Sequence, residues 1–392
     1  MATLLASASL DAPGIGTASK EGRARTGGGM AVATTPWSSK KALSSSKAMA
    51  ATATATDDLL PNTHTVHTYH TKSSTAVYKD IEYLLYLPKT WSLTTSPPIP
   101  IILFLHGAGE INKSKVLCRG ANGRKALVTD GAWRLRTVPG MLPALVDQIV
   151  TAPTPTPTAS TTDPTPPPQP TFPFILISPQ CPKGARFGSS NALMDDLVKI
   201  IRTNIGPNFN GDLSNVFVTG LSMGGFGTWS IATRHSTFFK AAAPICGGFK
   251  KFHPHLLHLQ GVWCFHGAND CIIPVNQSDV AIRQLKKGLE MKAMFGDVFD
   301  DVEDNGGSVA AKRETKEEAA TSQDGDKEGR EGHATVPQQR PPIEIKYTRY
   351  ETSPSPAPNM TGHASWIQAY FESDLLEWFF KMTLNDGVSR RL

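Results

Sequence analysis

The sequence predicts an α/β protein: a single domain on a mostly parallel central sheet with helices on both faces. Two observations carry this reading. Apolar runs of strand length alternate with amphipathic stretches of helix length along most of the chain. Several of the runs, such as the one at residues 99–105, are continuously apolar, as strands covered on both faces must be.

In chain order, strands are predicted over 78–87, 99–105, 173–178, 215–219, 241–245, 262–265 and 343–350. Helices are predicted over 141–150, 192–205, 224–235, 277–291 and 365–382; in the second of these Leu193, Leu197, Ile200 and Ile201 fall on one face. His64, His67 and His70 alternate faces on an N-terminal strand and are expected to be solvated.

Three stretches lack the large apolar side chains a core needs. Residues 1–60 are Ala, Ser, Thr and Gly with scattered Lys and Arg, and acids are scarce before Asp57. Such a segment cannot bury enough surface to offset the entropy of ordering it. It reads either as a disordered tail or as an organelle transit peptide, which shares that composition. A Pro/Thr run at 151–171 and a charged, nearly aromatic-free stretch at about 297–342 read as disordered insertions in one domain spanning 61–385, followed by a tail at 386–392. Long loops cost little extra closure entropy, so a stable core tolerates them. A less polar irregular piece at about 113–139 is placed to cover part of a site.

Composition narrows the partners. The net charge is +5 over 392 residues with the basic residues spread out, which argues against nucleic acid. Five cysteines without C-x-x-C spacing argue against a disulfide framework or structural zinc and point to a reducing, intracellular compartment. That is the cytoplasm, or a plastid or mitochondrion if the leader is a transit peptide. No apolar run has the length needed to cross a bilayer. Oligomeric state is not legible.

The strongest chemical signal is Gly220-Leu221-Ser222-Met223-Gly224, preceded by a β run and followed by a helix pattern. A sharp strand-to-helix turn of this kind strains the serine backbone and leaves no room for side chains two residues to either side. It projects the hydroxyl outward as a candidate nucleophile. A serine hydroxyl needs a base, and the base needs an acid to fix its tautomer. Asp270 follows the strand at 262–265 and is the candidate acid; Asp279, its nearest rival, falls within a predicted helix. His363, in Gly-His-Ala-Ser-Trp between the last strand and the last helix, is the candidate base. The oxyanion of a tetrahedral intermediate needs two N–H donors. Met223 and Ala108 are the candidates, with Gly107 and Gly109 letting substrate approach the backbone and Trp366 beside it. Trp229 and Phe226 fit the core better than a pocket. His106 reads as a structural hydrogen-bonding residue beneath its loop. His253, His255 and His258 cluster in sequence without a matching ligand set, so no metal is expected.

FLHGAGE, FPFILISPQCP, VFVTGLSMGGFGTW, AAAPICGG, WCFHGANDCIIPV and GHASW, in this order, resemble the phospholipase/carboxylesterase-like branch of the α/β-hydrolases. Within it the likeness is to the "predicted peptidase" and feruloyl-esterase-like group, over about 76–382. The resemblance implies an α/β-hydrolase fold, the triad Ser222, Asp270 and His363, a small-molecule ester substrate and no cofactor. The chain departs from that pattern in its long insertions and in the residues between HGAGE and the next helix. Thioester or peptide cleavage with the same residues, and a non-catalytic binding protein that keeps the fold, are the alternatives.

Overall fold

The computed structural model describes residues 61–94, 96–111, 116–119, 125–128, 135–136, 138, 140–152, 171–249, 251–295 and 342–384. The expected N-terminal tail, C-terminal tail and nearly all of both insertions lie outside them.

Eight strands form one sheet: His64–His70 (β1), Asp80–Tyr86 (β2), Ile99–Leu105 (β3), Ile175–Pro179 (β4), Gly211–Leu221 (β5), Ala241–Ile245 (β6), Gly261–Gly267 (β7) and Glu344–Tyr350 (β8). Their order across the sheet is β1-β2-β4-β3-β5-β6-β7-β8. β2 runs antiparallel to both neighbours, and from β4 to β8 every adjacent pair is parallel. This is the strand order of an α/β-hydrolase fold. Val116–Arg119 and Lys125–Val128 pair separately as an antiparallel ribbon within the stretch expected to be irregular.

The helices are Leu142–Thr151 (α1), Asn191–Ile200 (α2), Met223–Arg234 (α3), Asn276–Phe295 (α4), Ser365–Phe371 (α5) and Leu375–Leu384 (α6). Side chains of a strand alternate between faces. Ile102, Phe104, Leu176, Phe217, Ala243, Ile245 and Phe265 share one core with α1, α5 and α6, where Phe217 stacks on Phe379 with centroids 4.7 Å apart. The alternate residues Ile101, Leu103, Leu105, Ile177, Val216 and Val218 are equally buried on the opposite face. All seven residues of β3 are buried, which accounts for its unbroken apolar sequence.

The structure differs from the sequence reading at four places. β5 starts at Gly211 rather than 215, because a register shift opposite Pro100 folds the segment after Asp212 into the ladder. Asp212 Oδ1 holds that irregular turn by accepting from the Ser214 amide and hydroxyl. The helix expected over 192–205 changes to π-helical turns at Ile201–Ile205 and ends after a last turn at Gly206–Phe209. The single helix expected over 365–382 breaks at Glu372–Asp374 into α5 and α6. Finally, His64 is buried rather than solvated: its Nδ1 lies 3.1 Å from Asp147 on α1, which also accepts from Arg136 at 2.6 Å. His67 is half-buried, stacked on Tyr83; of the three, only His70 is exposed.

Candidate active site

In an open parallel sheet, ligands bind beyond the carboxyl ends of the strands, at the point where strand order reverses. Here the chain leaves β3 toward β4 on one side and later returns as β5 on the other, so that point lies between β3 and β5. Gly107 follows β3 and Ser222 follows β5.

Ser222 joins β5 to α3 with φ 54° and ψ −117°, a conformation L-residues rarely adopt and one that costs about 1–3 kcal/mol. The surroundings hold it there. The Ser222 amide donates to the Ile245 carbonyl at 3.0 Å, and its own carbonyl accepts from Phe226 at 3.0 Å. Beneath it sits Cys246, also at positive φ (40°), whose Sγ is 3.2 Å from the Ser222 nitrogen. Burial and the nearby Asp270 charge push the Cys246 thiol far up, so it stays protonated.

Asp270 and His363 come to this serine from 48 and 141 positions away in sequence. His363 Nε2 lies 3.0 Å from Ser222 Oγ, and its Nδ1 lies 2.7 Å from Asp270 Oδ2. Since the carboxylate only accepts, Nδ1 carries the proton and Nε2 faces the hydroxyl as an acceptor. Asp270 Oδ1 accepts from the Ile272 and Ile273 amides at 2.8 and 2.9 Å. Burial alone would raise the Asp270 carboxyl. The hydrogen bonds from His266, His363 and Ile273 outweigh it and hold the group well below the usual carboxylate range. Asp270 and His363 are both buried, while Ser222 is partly exposed.

Gly362 has φ +69°, and a Cβ there would meet Asn269 atoms at 2.4–2.5 Å. The His363 turn therefore packs directly on the loop that carries Asp270. Asp279, the rival acid, is used elsewhere: it accepts from Tyr347 Oη at 2.7 Å.

Met223 is the first residue of α3, so its N–H has no acceptor within the helix. Ala108 opens a short 3₁₀ turn, Ala108–Glu110, and is exposed together with Gly109. His106 fixes this turn from below. It is fully buried, donates Nδ1–H to the Gly107 carbonyl at 2.7 Å, and accepts at Nε2 from the Cys181 amide at 2.9 Å. Burial pushes it down to about 4, so the ring is neutral. Trp366 is buried edge-to-face against His363, with centroids 5.5 Å apart. Trp229 is wholly buried against Phe249, in the core.

Two further residues border this group: His266, which the sequence offered only as a histidine preceding the acid loop, and Cys246, which it offered only as one of five cysteines. Their only signal was position, each at the carboxyl end of a strand. Cys246, Asp270 and His363 present ligand atoms within 4.8 Å of one another, the one such trio among the described residues. Two of the three are already bonded to each other. No helix among the described residues is long and apolar enough to cross a membrane.

No family model and no curated protein matches the chain. Solved structures similar to it include a thermostable esterase (22% identity, TM-score 0.47, covering 81% of this chain and 62% of that one). Others are a ferulic acid esterase (12%, TM-score 0.38, 57% and 86%) and the Pyrococcus horikoshii acylaminoacyl peptidase (11%, TM-score 0.42, 82% and 42%). The chain thus spans less than two thirds of the length of the thermostable esterase. By its own strand order, with β2 alone reversed in an eight-stranded sheet, the chain has the α/β-hydrolase fold.

Proposed function

We propose that the chain is a serine hydrolase that cleaves small carboxylic esters through an acyl-enzyme. The observation that carries this is the unbroken contact Asp270–His363–Ser222, at 2.7 and 3.0 Å, ending on a serine held in a strained turn. Ser222 Oγ attacks the ester carbonyl as its proton passes to His363 Nε2. Asp270 stabilises the imidazolium that forms and keeps Nδ1–H in place. The Met223 and Ala108 N–H groups receive the oxyanion, with Gly107, Gly109 and Trp366 beside the substrate. His363 then protonates the leaving alcohol, and water repeats the sequence on the acyl-enzyme. Apart from the ester and water, these steps use only groups of the chain itself. Thioesters and amides pass through the same intermediate, but an amine is the poorer leaving group, so esters are the favoured class.

A fluorophosphonate probe is expected to label the wild type and not Ser222→Ala. The same substitution should lower kcat/KM on p-nitrophenyl esters by about 10⁴-fold or more. An unlabelled wild type would instead favour a non-catalytic binding protein. A cinnamoyl ester and an acyl-thioester, run beside esters of varied chain length, rank the acyl and leaving groups.

A further inference from the structure

The hydrolytic scheme leaves His266 unused, yet this second imidazole also reaches the Asp270 carboxylate. It is fully buried one residue before the end of β7. Its Nε2 lies 2.8 Å from the Ile273 carbonyl oxygen and 3.4 Å from Asp270 Oδ2. Both neighbours only accept, so Nε2 carries a proton. Its Nδ1 lies 2.7 Å from Ser278 Oγ, and the Gly247 carbonyl oxygen stands 2.7 Å from that same hydroxyl. Ser278 has one proton to give. Given to the imidazole, it would leave the Gly247 oxygen pressed against a bare hydroxyl oxygen in a buried site. Given to Gly247, it leaves Oγ free to accept from an Nδ1–H. Only the second arrangement satisfies every partner, and it needs a proton on both ring nitrogens.

We propose that His266 is a buried imidazolium that positions Asp270 and shares its carboxylate with His363. The proposal rests on the hydrolase reading above for its kinetic consequence but not for its proton count. Asp270 Oδ1 is occupied by two backbone amides, so Oδ2 alone lies between the two rings. The other titratable groups around His266 do not supply the missing acceptor. Cys264, which shares the Ser278 hydroxyl, is pushed up to about 12 by burial and stays a thiol. Cys246 is likewise a thiol beside Asp270. Asp279, next to Ser278 on α4, is turned to Tyr347. A cation at His266 draws on the same Oδ2 charge that holds the His363 Nδ1–H, so the two rings are coupled electrostatically through Asp270.

The test is a pair of measurements on the full chain. In wild type labelled with ¹⁵N-histidine, the ring signals that vanish in His266→Gln are expected to show two protonated nitrogens at neutral pH. In the same variant the acid-side midpoint of the kcat/KM profile on p-nitrophenyl acetate should rise by about one pH unit, and Ser222 should still take up the fluorophosphonate. A purely structural role would lower the profile without moving it. Should His266→Gln not fold, Ser278→Ala removes the acceptor for Nδ1–H and should move the midpoint the same way by a smaller amount. A ring with one proton, or a midpoint that stays in place, overturns the proposal. A wild type that neither hydrolyses esters nor takes up the probe overturns the hydrolase reading instead, and the ring signals still decide the proton count.

Discussion

Two glycine-rich turns flank the candidate site, and they are built on different physics. At the turn around Ser222, a Cβ on Gly224 would lie 1.9 Å from the Leu105 carbonyl oxygen and 2.7 Å from that of His106. A Cβ on Gly220 would lie 2.6 Å from the same Leu105 oxygen. These are backbone atoms of a fully buried strand and cannot move aside. At the turn after β3, a Cβ on Gly107 would meet side-chain atoms, Glu110 Oε2 and Leu221 Cδ1 at 3.0 Å and Ser222 Cβ at 3.8 Å, and one on Gly109 would meet nothing within 4 Å. The first turn is fixed by close approach of backbones, the second by the buried hydrogen bonds of His106. The two are also coupled: the glycines of the serine turn are what let the end of β3, and the candidate donor after it, come close to Ser222.

The largest effect should come from filling that contact. Gly224→Ala must push β3 and α3 apart, and is expected to destabilise the protein by about 3 kcal/mol or more, measured as a lower urea midpoint. Hydrolysis should vanish with it even at temperatures where the variant stays folded, because Ala108 moves away from Ser222. A folded, fully active Gly224→Ala would mean that the two turns are independent.

The second turn should instead show its weakness in acid. Burial lowers His106 from its ordinary 6.5 to about 4, while the bond to Gly107 works the other way. Between those values the unfolded chain binds the proton and the folded chain does not, so stability falls as pH drops through this window. Asp270, depressed from an ordinary 3.8, loses its contribution only at lower pH, which keeps the two effects apart. Urea midpoints taken from pH 7 to 4 should therefore fall more steeply in wild type than in His106→Asn. Parallel curves would show that the ring is not the group that titrates.

The same contrast explains what could be read in the sequence. The parallel sheet was legible because β3, β4 and β6 are buried on both faces and so are apolar, with Ser178 of β4 the one polar residue among them. Ser222, Asp270 and His363 could be proposed together because each lies after a later strand of one sheet, β5, β7 and β8. The burial of His64 was not, since its partner Asp147 lies 83 positions away on a helix. Nor was the break between α5 and α6, where the apolar period continues through Glu372–Asp374 with no glycine or proline to stop it. His266 and Cys246 were given no role for a related reason: a buried polar group shows its purpose only through its partners, and folding brings Ser278, Ile273 and Gly247 to His266 and Ser222 to Cys246.

The smallest effect is reserved for Gly109. The serine turn reads Gly because backbone contact demands it, and the β3 turn reads Gly in the same way, yet the space around Gly109 is open and its residue is exposed. Gly109→Ala should therefore leave the unfolding free energy from urea titration within about 0.5 kcal/mol of wild type. If this glycine is there for substrate, the added methyl group must be felt in turnover and not in folding. KM for bulky acyl esters should rise several-fold, with p-nitrophenyl acetate little changed. Equal losses on both esters, or a large fall in stability, would place Gly109 with the serine turn as a structural glycine and erase the distinction between the two.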